Sequence, residues 1–374
     1  MAANKGEWGE PYVALRLLGD GKMYLADDNN MKNPNEWMKI LELIRHEAKD
    51  RIVTYKYDDK ETYILIDVNG RMILNIPVND FLKMADILHH DVINARGRSF
   101  TVSKAVTDFL KQAEFTTLKA KSIDKSDIFL SVADPRSSIV RKSIGFSIKT
   151  KFGQNPTLFN TAKASGVKYE LHNMSDDIME EINNTFNSKG EVSVMDRCRL
   201  IKEKQLNPTY CGYAIAKKSN CEAFKENLEV LNPILPNVIE RMLWYHFFEE
   251  VEGIDIQDII KIVINKNPCG ITRPDIKYPY MMKAFLYASY CGMTASTLWD
   301  GRSQVNGGFI SVGSDGEVLA YYALESEKFK NYLYNNCYLE FPATSEKHGD
   351  YGKVYKDIAN NKYFFNLNFQ IRYR

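Results

Sequence analysis

The sequence predicts an α/β fold that carries an added helical subdomain, and three observations lead there. Short β-prone runs recur between Lys22 and Leu171, among them Ile128–Val132 and Ile144–Ile148, which flank a polar connection containing Asp134-Pro135. Between Ser175 and Met293 the apolar residues recur instead at helical spacing. From Trp299 onward the hairpin pattern returns. The chain therefore divides into a core over 1–172, a helical subdomain over 173–295, and a C-terminal α/β hairpin region over 296–374 packed on the core.

Taken in order, Glu7–Leu18 reads as an amphipathic helix. Pro11 sits in its first turn, where a missing N–H costs little, and Gly19 and Gly21 stop it. Trp8, Tyr12, Leu15 and Leu18 face inward, while Glu7 and Glu10 share an edge one turn apart. A strand follows at Lys22–Ala26, then a helix at Asn35–Lys49 and strands at Arg51–Tyr57 and Thr62–Val68. Asn69-Gly70 is a strong hairpin turn signal leading into Arg71–Ile76. Val78–Ala95 and Ser103–Glu114 read as helices. After the paired apolar runs, Thr157–Ser165 is a short helix or loop and Lys168–Leu171 a strand. Helical spacing then marks Ser175–Asn187, Ser193–Lys204, Glu222–Leu231, Asn237–Val251, Ile256–Asn265 and Pro279–Met293. The last stretch reads as a hairpin, Gly308–Val312 and Glu317–Tyr322 around Ser314-Asp315-Gly316. A helix at Ser326–Asn335 and a terminal hairpin, Gly352–Asp357 with Tyr363–Arg372, complete it.

Composition narrows the function classes. At 374 residues, with 44% hydrophobic and 26% charged residues, the chain has ample material for a core. No window approaches the ~18 consecutive apolar residues of a membrane span, and the polar start M-A-A-N-K-G-E-W-G-E has no signal-peptide core. This predicts a cytoplasmic protein. The six cysteines are scattered, with no C-x-x-C pair, as expected of free thiols in a reducing compartment. His89-His90 lacks a partner at zinc-like spacing, which argues against a zinc site. A net charge of +1 does not announce a nucleic-acid binder, yet 118–151 holds eight Lys and Arg against three Asp.

That basic stretch contains the chemistry. Asp127 opens the first apolar run, and Ser147 and Lys149, two apart near the end of the second, share one face. A carboxylate and a lysine on neighbouring strands are the minimal parts of a metal-dependent phosphodiesterase. The carboxylate holds the ion and the lysine orients the attacking water. Two half-buried strands with ordinary edge charges would present the same residues. Beyond the second run, Lys151, Gln154, Asn155, Asn160 and Lys163 offer groups that read base edges or bind phosphate, and Arg302, Gln304 and Asn306 form a second such loop. A polar loop with an Asn cap would look alike.

G-F-S-I-K-T-K-F-G (145–153), followed by N-P-T-L-F-N-T-A-K-A-S (155–165) and V-K-Y-E-L (167–171), resembles the central block of HpaII-type restriction endonucleases. The opening N-K-G-E-W-G-E-P-Y is similar to that family's first helix, and W-D-G, G-G-F-I-S-V, D-G-E-V-L-A-Y and H-G-D-Y-G-K-V-Y resemble its tail, so the likeness spans nearly the whole chain. It implies the restriction-endonuclease fold of PD-(D/E)xK nucleases, a mixed central sheet flanked by helices. The implied activity is Mg²⁺-dependent, sequence-specific cleavage of double-stranded DNA leaving 5′-phosphate and 3′-hydroxyl ends. By the same resemblance, Asp127 is the central metal ligand, the Ile148 carbonyl another, and Lys149 contacts water and phosphate. Glu10, or second Glu7, supplies a carboxylate from the first helix. The sequence departs from the superfamily pattern at Ser147, which stands in the second acidic slot, two before the lysine. Glu10 or Asp134 would then provide the missing charge. A homodimer on DNA and a companion DNA methyltransferase are the implied partners. A repair or recombination nuclease of the same fold, or a DNA-binding protein that has lost cleavage, are the competing readings.

Overall fold

A computed structural model describes residues 2–119, 126–153, 155–250, 254–302, 307–322, 326–341 and 351–374. It is a mixed α/β structure. In chain order the elements are α1 (Lys5–Asp20), β1 (Lys22–Ala26), β2 (Lys32–Ala48), β3 (Arg51–Tyr57), β4 (Tyr63–Val68), β5 (Arg71–Pro77), α2 (Val78–Asn94), α3 (Lys104–Gln112), β6 (Ile128–Asp134) and β7 (Ile139–Thr150). There follow β8 (Thr157–Phe159), β9 (Val167–Leu171), α4 (Asp176–Asn183), α5 (Val194–Glu203), β10 (Thr209–Tyr213), α6 (Ala223–Leu231), α7 (Leu235–Phe247), α8 (Ile256–Lys266) and α9 (Pro274–Tyr290). The chain ends with β11 (Gly308–Val312), β12 (Val318–Tyr322), α10 (Ser326–Asn336), β13 (Cys337–Glu340), β14 (Val354–Asp357), β15 (Lys362–Leu367) and β16 (Gln370–Tyr373).

The chain forms two compact units, each built from two stretches. The first is Met1–Pro156 with Ser303–Tyr332, and the second is Thr157–Arg302 with Leu333–Arg374. The first unit holds a nine-stranded sheet in the order β1-β12-β11-β7-β6-β2-β3-β4-β5. Two of its pairings, β1 with β12 and β11 with β7, are parallel, and the rest are antiparallel. Because β1 also pairs with β2, the six strands β1, β12, β11, β7, β6 and β2 close on themselves as a barrel. Closure removes exposed edges that would otherwise seek partners. The sequence pattern contained no sign of it, since it joins strands nearly 300 residues apart. The core of this unit collects Trp8, Leu15 and Leu18 of α1 with Phe81 and Leu88 of α2, against Leu43, Leu130, Phe146 and Ile310 of the sheet.

Of residues 35–49, expected to be helical, 35–48 belong to strand β2 and Lys49 begins the turn after it. Trp37, Met38, Leu41 and Ile44 fall at helical spacing, but the buried positions are Met38, Ile40, Leu43, Arg45 and Glu47. That is strand alternation with one step of three, and the step lies where the register to β6 shifts between Ile40 and Glu42. A β-bulge thus disguised a period of two as a helical one. Thr157–Ser165 is a short strand followed by a 3₁₀ turn at Lys163–Ser165. The turn at Asn69-Gly70 forms as read, with both residues at positive φ (52° and 84°).

The second unit combines a four-stranded sheet, β10-β9-β15-β14, with a three-stranded one, β13-β16-β8, and helices α4 to α9. The terminal hairpin is β14 with β15, whereas β16 leaves that sheet to pair with β13 and β8. Phe224 and Phe369 stack on Phe159 at its centre, with Phe285 meeting Phe159 edge-on. No helix among the described residues is long and apolar enough to cross a membrane.

Candidate active site

The site is built on an incomplete strand pairing. β6 begins at Ile128, opposite Phe146 of β7, so β7 runs on past the end of its antiparallel neighbour. Asp127 fills the step. Its backbone N–H donates to the Phe146 carbonyl (2.8 Å), and its Oδ2 accepts from the Ile148 N–H (2.7 Å). The Ser147 hydroxyl donates to the same oxygen (3.2 Å). In extended backbone a residue's N–H and C=O point to one edge, so the Ile148 carbonyl faces the edge where Asp127 sits. On its other edge β7 pairs in parallel with β11, Ser147 opposite Phe309 and Lys149 opposite Ser311. Ser147 is 8% exposed, while Asp127 and Lys149 are half-buried. Lys149 has no hydrogen bond or ion pair among the described residues, so its ammonium is available to an incoming anion.

Helix α1 leans on this strand end. A Cβ on Gly9 would lie 2.2 Å from Thr150 Cγ2, so only glycine permits the approach. Glu10, next in sequence, is 6% exposed. Glu7 is committed elsewhere: it closes a capping box, its carboxylate accepting from Asn4 N–H (2.9 Å) and its own N–H donating to Asn4 Oδ1 (3.0 Å). The helix consequently starts two residues before the expected Glu7. Tyr12 donates its hydroxyl to the Gly316 carbonyl (2.5 Å), and burial pushes that hydroxyl up to about 12, so it remains a donor. His89 contacts the Ser314 carbonyl (3.0 Å), and both rings pack on Phe152. These contacts fix the β11–β12 turn beside the end of β7, and nothing in the residue spacing announced them.

Asp134 lies at the far end of β6 from Asp127. It accepts from the Arg136 N–H (2.9 Å) and guanidinium (3.1 Å), and that pairing, aided by Ser137, holds its carboxyl below the usual range. It is a turn residue. Of the residues read as DNA contacts, Lys151 is half-buried, its Nζ 5.5 Å over the Tyr332 ring, and burial lowers its pKa against the opposing pull of Asp315. Asn155 is half-buried, and Asn160 and Lys163 are exposed in the second unit. Arg302 is exposed and 3.9 Å from Asp300. Gln154, Gln304 and Asn306 lie outside the described residues.

Oxygen donors suited to a hard cation are present at the strand step. Asp127 Oδ1 takes no hydrogen bond among the described residues, and the Ile148 carbonyl shares its edge. No three His, Cys, Asp or Glu side chains of the described residues come together as a metal cage. Such a place fits an ion that takes one or two carboxylates and fills its remaining positions from backbone and solvent.

The family model of the HpaII restriction endonuclease matches residues 4–373. A curated relative, the "Type II restriction enzyme HpaII" of Haemophilus parainfluenzae, is 30% identical over 376 residues, covering 100% of this chain and 99% of the relative. No solved structure matches the chain. These likenesses make the chain a type II site-specific deoxyribonuclease. The chain belongs to the HpaII restriction endonuclease family.

Proposed function

We propose that the chain makes Mg²⁺-dependent double-strand cuts at a short DNA site, leaving 5′-phosphate and 3′-hydroxyl ends, from a restriction-endonuclease-like sheet core. The observation that carries this reading is the joining of Asp127 to the Ser147-Ile148 step of β7, with Lys149 unpaired beside it. Asp127, the Ile148 carbonyl and Glu10 would hold the ion, which supplies charge neutralisation at the phosphate and a more acidic water. Lys149 donates to the scissile phosphate and orients the water whose oxygen bonds phosphorus as the bond to O3′ breaks. Ser147 adds no charge. Its hydroxyl fixes the rotamer of Asp127, which accounts for a serine in the otherwise acidic slot. Lys151, Gln154, Asn155, Asn160, Lys163, Arg302 and Gln304 are the proposed DNA contacts. Palindromic sites call for two active sites about a two-fold axis, so a homodimer on DNA is proposed, and a companion methyltransferase would protect host sites. The helical stretch over 173–295 is proposed as an addition to the nuclease core.

Incubation with plasmid and Mg²⁺ tests the reading: discrete fragments are expected, abolished by EDTA, and intact plasmid at all Mg²⁺ concentrations would refute it. Sedimentation with a cleavable duplex should give two chains per duplex; one chain would mean sequential nicking.

The ligand set predicts a graded response. Glu10→Gln keeps size and helix tendency but removes charge, so cleavage should fall strongly and half-maximal Mg²⁺ rise. Ser147→Ala should cost only about tenfold, the loss of one modest hydrogen bond. Mg²⁺ titrations of both variants decide it: Glu10→Gln behaving as wild type while Ser147→Ala is dead would overturn the set.

A further inference from the structure

Two serines flank the lysine's row of the sheet, and their hydroxyls are in opposite situations. Ser147 spends its hydroxyl on Asp127. Ser311, on the neighbouring parallel strand, is 6% exposed, and its Oγ has no hydrogen-bond partner among the described residues. A buried hydroxyl without a partner is a standing cost, and one that persists at a functional place calls for a use. The register gives the use. Ser311 pairs with Lys149, and paired residues of parallel strands put their side chains on the same face, about 4.8 Å apart. Lys149 itself is without a hydrogen bond or ion pair among the described residues. The next residue across the sheet is Leu319 of β12, whose side chain can neither give nor take a hydrogen bond, so Lys149 is the polar neighbour Ser311 has in its row.

We infer that Ser311 is a positioning residue for Lys149: with DNA bound, its Oγ accepts a hydrogen bond from the lysine ammonium. An ammonium has three N–H donors and no acceptor. Two are directed to the scissile phosphate and the attacking water, and the third is held by Ser311. The lysine is then fixed in the orientation the reaction needs, and its long side chain has less freedom to lose. This inference rests on the proposed role of Lys149 at the reacting phosphate.

A role in packing alone and a role in positioning give opposite signs, which makes the test decisive. Removing an unsatisfied buried hydroxyl is neutral or stabilising for the fold. Ser311→Ala, Ser311→Thr and Lys149→Ala are compared with wild type in single-turnover plasmid cleavage at excess Mg²⁺, alongside DNA affinity and thermal melting. Ser311→Ala should cut about 10- to 100-fold more slowly, as for loss of one hydrogen bond to a charged group, with DNA affinity unchanged and melting temperature equal or higher. Ser311→Thr, which keeps the hydroxyl and suits a strand, should recover most of the rate. Wild-type cutting by Ser311→Ala, or slow cutting accompanied by a lower melting temperature, overturns the inference while Lys149→Ala remains inactive. Wild-type cutting by Lys149→Ala overturns the underlying reading and this inference with it.

Discussion

Lys149→Ala is expected to lose cleavage by ~1000-fold or more while binding its DNA site nearly as well as wild type. Among the described residues the lysine has no hydrogen bond or ion pair, so removing it leaves no polar partner unsatisfied. Its donors are engaged only when phosphate is present, and most strongly as negative charge builds on the phosphate oxygens. The loss should therefore appear in the rate of the bound complex and scarcely in affinity. Single-turnover cleavage and gel-shift affinity at excess Mg²⁺ check the two halves separately. Wild-type turnover by the variant would remove Lys149 from the chemistry, and loss of binding with little change in rate would make it a phosphate anchor instead.

The second large effect concerns stability. Strand β2 carries Arg45 and Glu47 on its buried face, with both side chains at 0% exposure and Arg45 Nε 2.7 Å from Glu47 Oε1. Glu47 Oε2 accepts from the N–H and hydroxyl of both Thr116 and Thr117 (2.8–3.1 Å), and Arg45 Nη2 donates to the Thr117 carbonyl (3.0 Å). The pair thereby pins the segment that leaves α3 on its way to Asp127. Glu47→Gln leaves the arginine charge buried without its counter-ion and should destabilise the protein by about 3 kcal/mol. Burial alone would raise the Glu47 carboxyl, but Arg45 and the threonine donors outweigh it and hold the carboxyl below its usual range. A depressed carboxyl contributes stability that is fully present above the ordinary carboxylate pKa and disappears as pH falls through the lowered value. Denaturant melts of wild type should weaken in acid, and those of Glu47→Gln should weaken less. Equal stability of the two proteins at neutral pH would show the pair to be dispensable.

Much of this was legible in residue types and local spacing. The strands around Asp127 and Lys149, the Asn69-Gly70 turn and the β11–β12 hairpin carry their signals within a few residues. What the sequence hid is non-local. β2 looked helical because one bulge at Ile40–Glu42 breaks its alternation, and strand pairing on both sides decided the matter. The insertion of β11 and β12 between β7 and β1 joins the tail to the opening of the chain, and no local pattern encodes such a register. Short strands β10 and β13 lie in stretches, T-Y-C-G-Y and C-Y-L-E, too brief to show a period. At the site, the sequence showed that the slot two before the lysine holds a serine. It did not show that this serine's hydroxyl reaches Asp127, nor that Ser311 comes to lie beside Lys149 from 162 residues further along the chain.

The central claim is that the step between β6 and β7 holds the catalytic ion. Mn²⁺ soaked into crystals of the protein and located by anomalous scattering tests it most directly, with Asp127→Asn crystals as the control. The account predicts a peak within coordination distance of Asp127 Oδ1 and the Ile148 carbonyl in wild type and none in the variant. A peak elsewhere, or one that survives loss of the Asp127 charge undiminished, would contradict it.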